Sequence, residues 1–224
     1  MTLPRRLAAE AIGSFFLFAG VIGSGIMAAA LSGGNNGVAL LANTIATGAI
    51  LFVMIALLAP VSGAHFNPAV TLALAVRRQI MPGTALAYIF AQLVGGLLAV
   101  LAVHAMFDLP LFQLSGHART GPGQWLAEGI ATFGLLVTVM GVAGRKPAEA
   151  AAAVALYIVA AYWFTASTSF ANPAITIARS LSDSFAGIAP ADVPAFIVAQ
   201  LIGAALGAWL GGLLFADGID HPHG

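Results

Sequence analysis

"SGAHFNPAVT", residues 62–71, sets an Asn-Pro-Ala triplet ahead of a branched aliphatic residue and a Thr, and "FANPAIT", residues 170–176, writes the same pattern again in the second half. Aligned on Asn67 and Asn172, Val70 pairs with Ile175, Thr71 with Thr176, Leu72 with Ile177 and Ala73 with Ala178, without a gap. The match extends outward: Glu10 in "AAEAIGSFFLFAG" has its counterpart in Glu128 of "LAEGIATFGLLVTVMG", and Gln92 in "AQLVGGLLA" in Gln200 of "AQLIGAALG". Asn is among the best helix N-caps, and Pro is favoured at the first helical position, where its missing N–H would have had no partner. A helix therefore starts at Pro68-Ala69 and another at Pro173-Ala174.

The solvent for these helices is lipid. The chain is 60% hydrophobic and 7% charged, with a mean hydropathy of +0.99. A spanning helix needs roughly 20 mostly apolar residues, and six stretches qualify: about 7–30, 38–60, 82–104, 124–144, 148–167 and 194–214. The first is long enough to span and lacks a cleavage pattern, so it is expected to be a membrane helix and not a leader. Both triplets fall outside the six, after the second and the fifth. From Pro68 to Arg77 is ten residues, about 15 Å of helix against a hydrocarbon core of roughly 30 Å. Each triplet thus opens a half-helix that dips in and returns. With three crossings per half, the second repeat (about 124–214) starts on the opposite face from the first (about 7–104), and the two are inverted. Threaded this way, Arg5, Arg6, Arg77, Arg78, Arg145 and Lys146 share one side and only Arg119 and Arg179 lie opposite. That bias puts both termini in the cytoplasm.

Two half-helices meeting at their N-termini would complete one further spanning element. Non-helical backbone leading to such a junction is tolerated in a membrane only where it is buried in protein or lines a wet cavity, so a water-filled path is expected there. Two positive helix ends would face it. If each Asn carbonyl oxygen caps its own helix, the NH2 remains to donate toward water or a hydroxylated solute. Cations meet like charge, and protons meet water oriented by two donors.

These residues are similar to the major intrinsic protein family of aquaporins and aquaglyceroporins, and the similarity covers nearly the whole chain. It implies an all-α membrane fold of six transmembrane helices plus two re-entrant half-helices, usually a homotetramer in the lipid bilayer with one pore per subunit. It also implies passive flow of water or small neutral solutes. The departure lies at Ile175, where the family typically has Arg. Carried over by offset from the Asn residues, the other constriction positions are Thr47, Ala160 and Ser169; none is aromatic or charged. A wide, arginine-free constriction favours bulkier solutes, and the substitution resembles the bacterial branch associated with arsenic resistance, which suggests glycerol-like polyols and arsenous acid. In the alternative register Arg179 is the family's arginine displaced by four residues. The ungapped register is preferred, because Ile175 and Thr176 match Val70 and Thr71: Ile175 then lines the constriction itself, and Arg179, one turn or roughly 6 Å farther out on the same face, lines the outer mouth.

Other readings stay open. Glu10 and Glu128 sit where ionised groups are expensive; they either relay protons or, as preferred here, accept bonds from re-entrant backbone amides. His65 either gates the inner vestibule or braces its loop. Thr47 and Ser169 could hydrogen-bond neighbouring helices instead of lining a pore, and Gln92 and Gln200 either wet the pore or support the half-helices. Gly203, Gly207 and Gly211 form a small-residue packing stripe. His221 and His223 in the tail have a weak metal-site appearance, the five histidines otherwise scatter without ligand spacing, and neither a metal nor a cofactor is expected. Eight basic against eight acidic residues give no electrostatic case for nucleic acid, and the absence of cysteine removes disulfides and thiol chemistry. No nucleophile and base constellation points to an enzyme. A secondary transporter is the main alternative, because inverted repeats with broken helices also mark that class; a pore-less structural protein of the same fold is a third.

Overall fold

The computed structural model describes residues 1–142 and 147–215; Arg145, Lys146, His221 and His223 lie outside them. The described chain is helical throughout its regular structure: α1 (Leu3–Leu31), α2 (Asn36–Ser62), α3 (Pro68–Val76), α4 (Pro82–Met106), α5 (Pro122–Val142), α6 (Pro147–Phe164), α7 (Pro173–Ser180) and α8 (Val193–Leu214), the last entered through a short 3₁₀ turn at Pro190–Asp192. Five of these helices open on a proline, at 68, 82, 122, 147 and 173, where its fixed φ suits the first turn. Asn35 caps α2 by accepting from Gly37 N and Val38 N, and Gly63 ends it in the left-handed conformation at φ 92°.

Six helices cross the membrane and two, α3 and α7, are half-length. Five of the six are long apolar spans. The sixth, α6, has 18 residues and stops at Phe164, three short of the expected 167, because the chain must turn there to deliver Ser167 to the loop before α7. Leu86, Phe90, Leu206 and Trp209 are exposed on the outer surface, which in a bilayer meets acyl chains.

Close backbone approach holds the bundle together. A Cβ added at Gly95 of α4 would collide with the Ala11 carbonyl of α1, and one added at Gly203 of α8 with the Gly129 carbonyl of α5. Lipid offers no hydrophobic drive between helices, so this contact is bought by small residues. Gly207 likewise lies against the Phe133 carbonyl, and Gly211 against the Met140 side chain. The tight α1–α4 and α5–α8 pairs carry Glu10 with Gln92, and Glu128 with Gln200, into the interior, where all four are fully buried.

Candidate functional site: a lumen at the junction of two half-helices

Each Asn side chain does two things. Asn67 Oδ1 accepts from Ala69 N at 2.9 Å, capping α3, while Nδ2 donates to Ala171 O at 2.8 Å. Asn172 Oδ1 accepts from Ala174 N at 3.0 Å and Ile175 N at 3.3 Å, capping α7, while Nδ2 donates to Phe66 O at 2.8 Å. The half-helices therefore meet N-terminus to N-terminus, cross-linked by a reciprocal pair of bonds. One hydrogen of each amide is spent on the opposite loop, so only the second is left for the lumen, half of what the sequence suggested. Pro68 and Pro173, each first in its helix, have no N–H to satisfy at this crowded point.

The loops leading to the caps share one backbone. Ala64 and Phe66 have φ of 51° and 48°, and Ser169 and Ala171, at the same offsets from their Asn, have 52° and 47°. Left-handed dihedrals cost a non-glycine residue about 1–2 kcal/mol each, and the two glutamates compensate. Glu10 accepts from Ser62 Oγ (2.6 Å), His65 N (3.0 Å), Phe66 N (2.8 Å) and Gln92 Nε2 (2.8 Å). Glu128 accepts from Ser167 Oγ (2.6 Å), Phe170 N (2.8 Å), Ala171 N (2.9 Å) and Gln200 Nε2 (2.6 Å). The two glutamines also donate to Thr71 Oγ1 and Thr176 Oγ1, tying the half-helices to α4 and α8. His65 Nδ1 sits 3.1 Å from Thr71 Oγ1, with the ring edge-on to Tyr88.

Ser62 and Ser167 escaped the sequence reading although each stands five residues before its Asn. Arg119 entered it only as a charge in the orientation count. From the loop between α4 and α5, its guanidinium donates to the carbonyls of Gly187 (2.7 Å), Ser167 (3.2 Å) and Phe185 (3.4 Å). Burial lowers its pKa from the ordinary guanidinium value.

A cavity of about 850 Å³ runs along this junction. Because α3 and α7 point away from the meeting point, their C-terminal ends mark opposite ends of the path. At one end the wall holds Arg6, His65, Arg77 and Gln79; both Asn residues line the middle. At the other end stand Thr47, Tyr162, Ser169, Phe170, Ile175 and Arg179. Thr47 Oγ1 lies 3.3 Å from Tyr162 OH.

Ala160 is not among them. It is exposed on the outside of α6, whose lumen stripe is Ala151, Val154, Ile158 and Tyr162. That stripe follows the helical period, and two residues of offset from Ile158 turn a side chain roughly 200° away. Tyr162 takes the place assigned to Ala160, so the layer contains aromatic side chains. It is not free of arginine either: Ile175 lines the cavity, and Arg179, one turn farther along α7, lines it too.

Beyond that layer lies a separate surface depression of about 470 Å³ formed by Asn36, His117, Asp183, Ser184 and Phe185. Burial, then the charges of Arg119 and Arg179, lower the pKa of His117 from 6.5, against the opposing pull of Asp183.

A family model described as Major intrinsic protein matches residues 1–149. Aquaglyceroporin AqpS of Rhizobium meliloti (strain 1021) is 51% identical over 214 residues, covering 93% of this chain and 91% of that protein. Aquaporin Z of Bradyrhizobium diazoefficiens is 33% identical over 220 residues, covering 91% and 90% respectively. Among solved structures, the X-ray structure of the aquaglyceroporin from Plasmodium falciparum superposes with a TM-score of 0.73 at 20% identity, covering 98% of this chain and 99% of that one.

Proposed function

The chain belongs to the major intrinsic protein family, and from that premise we propose that this multi-pass membrane protein is a passive channel for water and small uncharged solutes. The observation that carries the reading is a single cavity whose wall includes both N-capping Asn residues, at a junction where two positive helix ends oppose cations. Each chain forms one pore from inverted repeats of about 7–104 and 124–214, a reading supported by the paired bonds of Glu10 and Glu128. The subunits assemble as a homotetramer in the cell membrane, the inner membrane of a bacterium, with both termini cytoplasmic; the excess of basic residues on that side supports the orientation.

Solute choice is set at the end of the lumen that holds Ile175. The residue after the second triplet is Ile175, with the guanidinium of Arg179 one turn farther along α7; an apolar side chain where the family typically has Arg supports passage of glycerol-like polyols and of arsenous acid, a neutral trihydroxylated molecule of comparable size. Thr47 and Ser169 both line the cavity. Reconstituted vesicles studied by stopped-flow light scattering test this: water and glycerol flux should be linear in the gradient, unsaturated, and indifferent to sodium and protons. Saturation, or coupling to either ion, would mean a secondary transporter instead. Vesicles no leakier than protein-free controls would leave a structural role.

A further inference from the structure

Among the described residues no Asp or Glu lines the lumen, whereas three arginines do. Two of them, Arg6 and Arg77, share the end marked by the C-terminus of α3. Arg6 is fixed by Tyr88: its Nε donates to the phenol oxygen at 2.6 Å and its Cζ lies 5.1 Å from the ring centroid, while the phenol donates to Ser62 O at 2.8 Å. Arg77 is fixed by α8. Its Nη1 donates to the Ala208 carbonyl at 3.3 Å, and Gly212 makes room for it, since a Cβ there would strike the guanidinium. Leu7, next to Arg6, and Leu74, one turn before Arg77, pack on the same cluster of Ile80, Ala85 and Tyr88, so the two cations are mounted on a common base.

Each guanidinium has donors left over. Both Nη atoms of Arg6 and Nη2 of Arg77 bond nothing among the described residues, and none of the three is sealed in the interior; Nε of Arg77 is buried without a partner. A guanidinium edge matches an oxyanion two bonds at a time. A neutral hydroxylated solute accepts such bonds too, but it leaves both charges uncompensated on a wall that has no carboxylate to answer them.

We propose that Arg6 and Arg77 form a receptor for a phosphate-type oxyanion at the inner mouth, and that an anion held there obstructs the lumen. Two sources carry this chemistry: a free oxyanion on the side of the N-terminus, and the headgroup of an anionic phospholipid, since the mouth opens at the membrane surface. The obstruction rests on the channel reading above; the binding does not.

The test uses the full chain, with Arg6→Gln, Arg77→Gln and Arg78→Gln beside the wild type, each checked for monodisperse elution. Arg78 is the control, exposed and outside the wall although it follows Arg77 directly. In phosphatidylcholine vesicles at constant ionic strength and osmolarity, inorganic phosphate on both sides in place of chloride should lower wild-type glycerol flux with a half-effect at about 1 mM, the affinity that two charge-assisted pairs supply. Arg6→Gln and Arg77→Gln should each move that midpoint up by about tenfold or more, every protein being referred to its own flux without phosphate, and Arg78→Gln should respond as the wild type does. If phosphate is without effect but phosphatidylglycerol in the vesicles lowers the flux of the wild type and of Arg78→Gln only, the headgroup is the ligand. Melts in detergent need no pore: inorganic phosphate at about 10 mM, ten times that midpoint, or else short-chain phosphatidylglycerol, should raise the unfolding temperature of the wild type and of Arg78→Gln and leave the two wall variants in place. Wild-type flux and melting that ignore both ligands overturn the proposal, as does an equal response in all four proteins; should one wall variant not fold, the other decides. A melting shift without a change in flux removes the obstruction. Vesicles that pass neither water nor glycerol, while the melting shift persists, would sink the channel reading and leave the receptor standing.

Discussion

Replacing Glu128 separates what its carboxylate does from what its volume does. In Glu128→Gln one oxygen becomes an NH2, and either orientation of the new amide meets a backbone donor: Phe170 N at one oxygen, Ala171 N at the other. The side-chain partners can adapt. Ser167 can rotate its hydroxyl, and Gln200 can turn its unpartnered Oε1 toward the new NH2. One buried N–H is left orphaned, a cost of about 1–3 kcal/mol. Glu128→Ala orphans both N–H groups, about 2–6 kcal/mol, and removes what holds Ser169 and Ala171 at φ of 52° and 47°. Thermal unfolding of purified protein in detergent should therefore rank wild type above Gln above Ala, and solute flux per reconstituted chain should fall in the same order as the loop relaxes into the lumen. Glu10→Gln and Glu10→Ala should reproduce the ranking, because Glu10 also accepts two adjacent backbone N–H groups. An Ala variant melting with the wild type would refute the reasoning, as would a Gln variant that loses as much as Ala.

Ile175→Arg should suppress glycerol and arsenite flux more than water flux in stopped-flow measurements; undiminished glycerol flux would remove Ile175 from the filter. Gly203→Ala should lower the unfolding temperature, with a loss of about 1–3 kcal/mol, because its Cβ would meet the Gly129 carbonyl and not a yielding side chain; an unchanged midpoint would show slack between α5 and α8. Asn67→Ala removes both the α3 cap, worth about 1 kcal/mol, and the bond to Ala171 O, so chemical cross-linking between cysteines placed in the two loops should become slower and more heterogeneous. A folded-state pKa below 6.5 for His117 means the unfolded chain binds more protons between the two values, so stability should rise with pH across that window. His117→Gln should flatten that slope in detergent melts taken from pH 5 to 7, and an unaltered slope would assign it elsewhere.

The repeated triplets were legible because identity and spacing recur together, and the same duplication exposed Glu10, Glu128, Gln92 and Gln200. Ser62 and Ser167 carried the same signal, but a Ser in an apolar loop is too ordinary to stand out until its bond to the glutamate is visible. Ala160 failed for a geometric reason. Its offset was counted backward from Asn172 across the end of α6, and helical phase does not survive a helix-to-loop junction, so the tyrosine two residues later faces inward instead. Arg179 is held by a bond from its Nε to the Ala186 carbonyl and by the ring of Phe170, 3.3 Å beneath its Cζ, a partnership across a loop and a re-entrant segment that no local pattern encodes. Arg119 likewise finds its carbonyl partners 48 to 68 residues downstream.

The reciprocal amides have a consequence for biosynthesis. Ala171, which receives the Asn67 side chain, emerges 104 residues after it, and Asn172 emerges 106 after Phe66. At about 5–20 residues per second of translation, the early triplet waits roughly 5 to 20 seconds with its donor and its carbonyl unanswered. Polar groups stranded at mid-membrane cost several kcal/mol each against hydrocarbon, so the nascent front half must be sheltered, by the insertion machinery or by water in its unfinished cleft, until the back half arrives to close the joint.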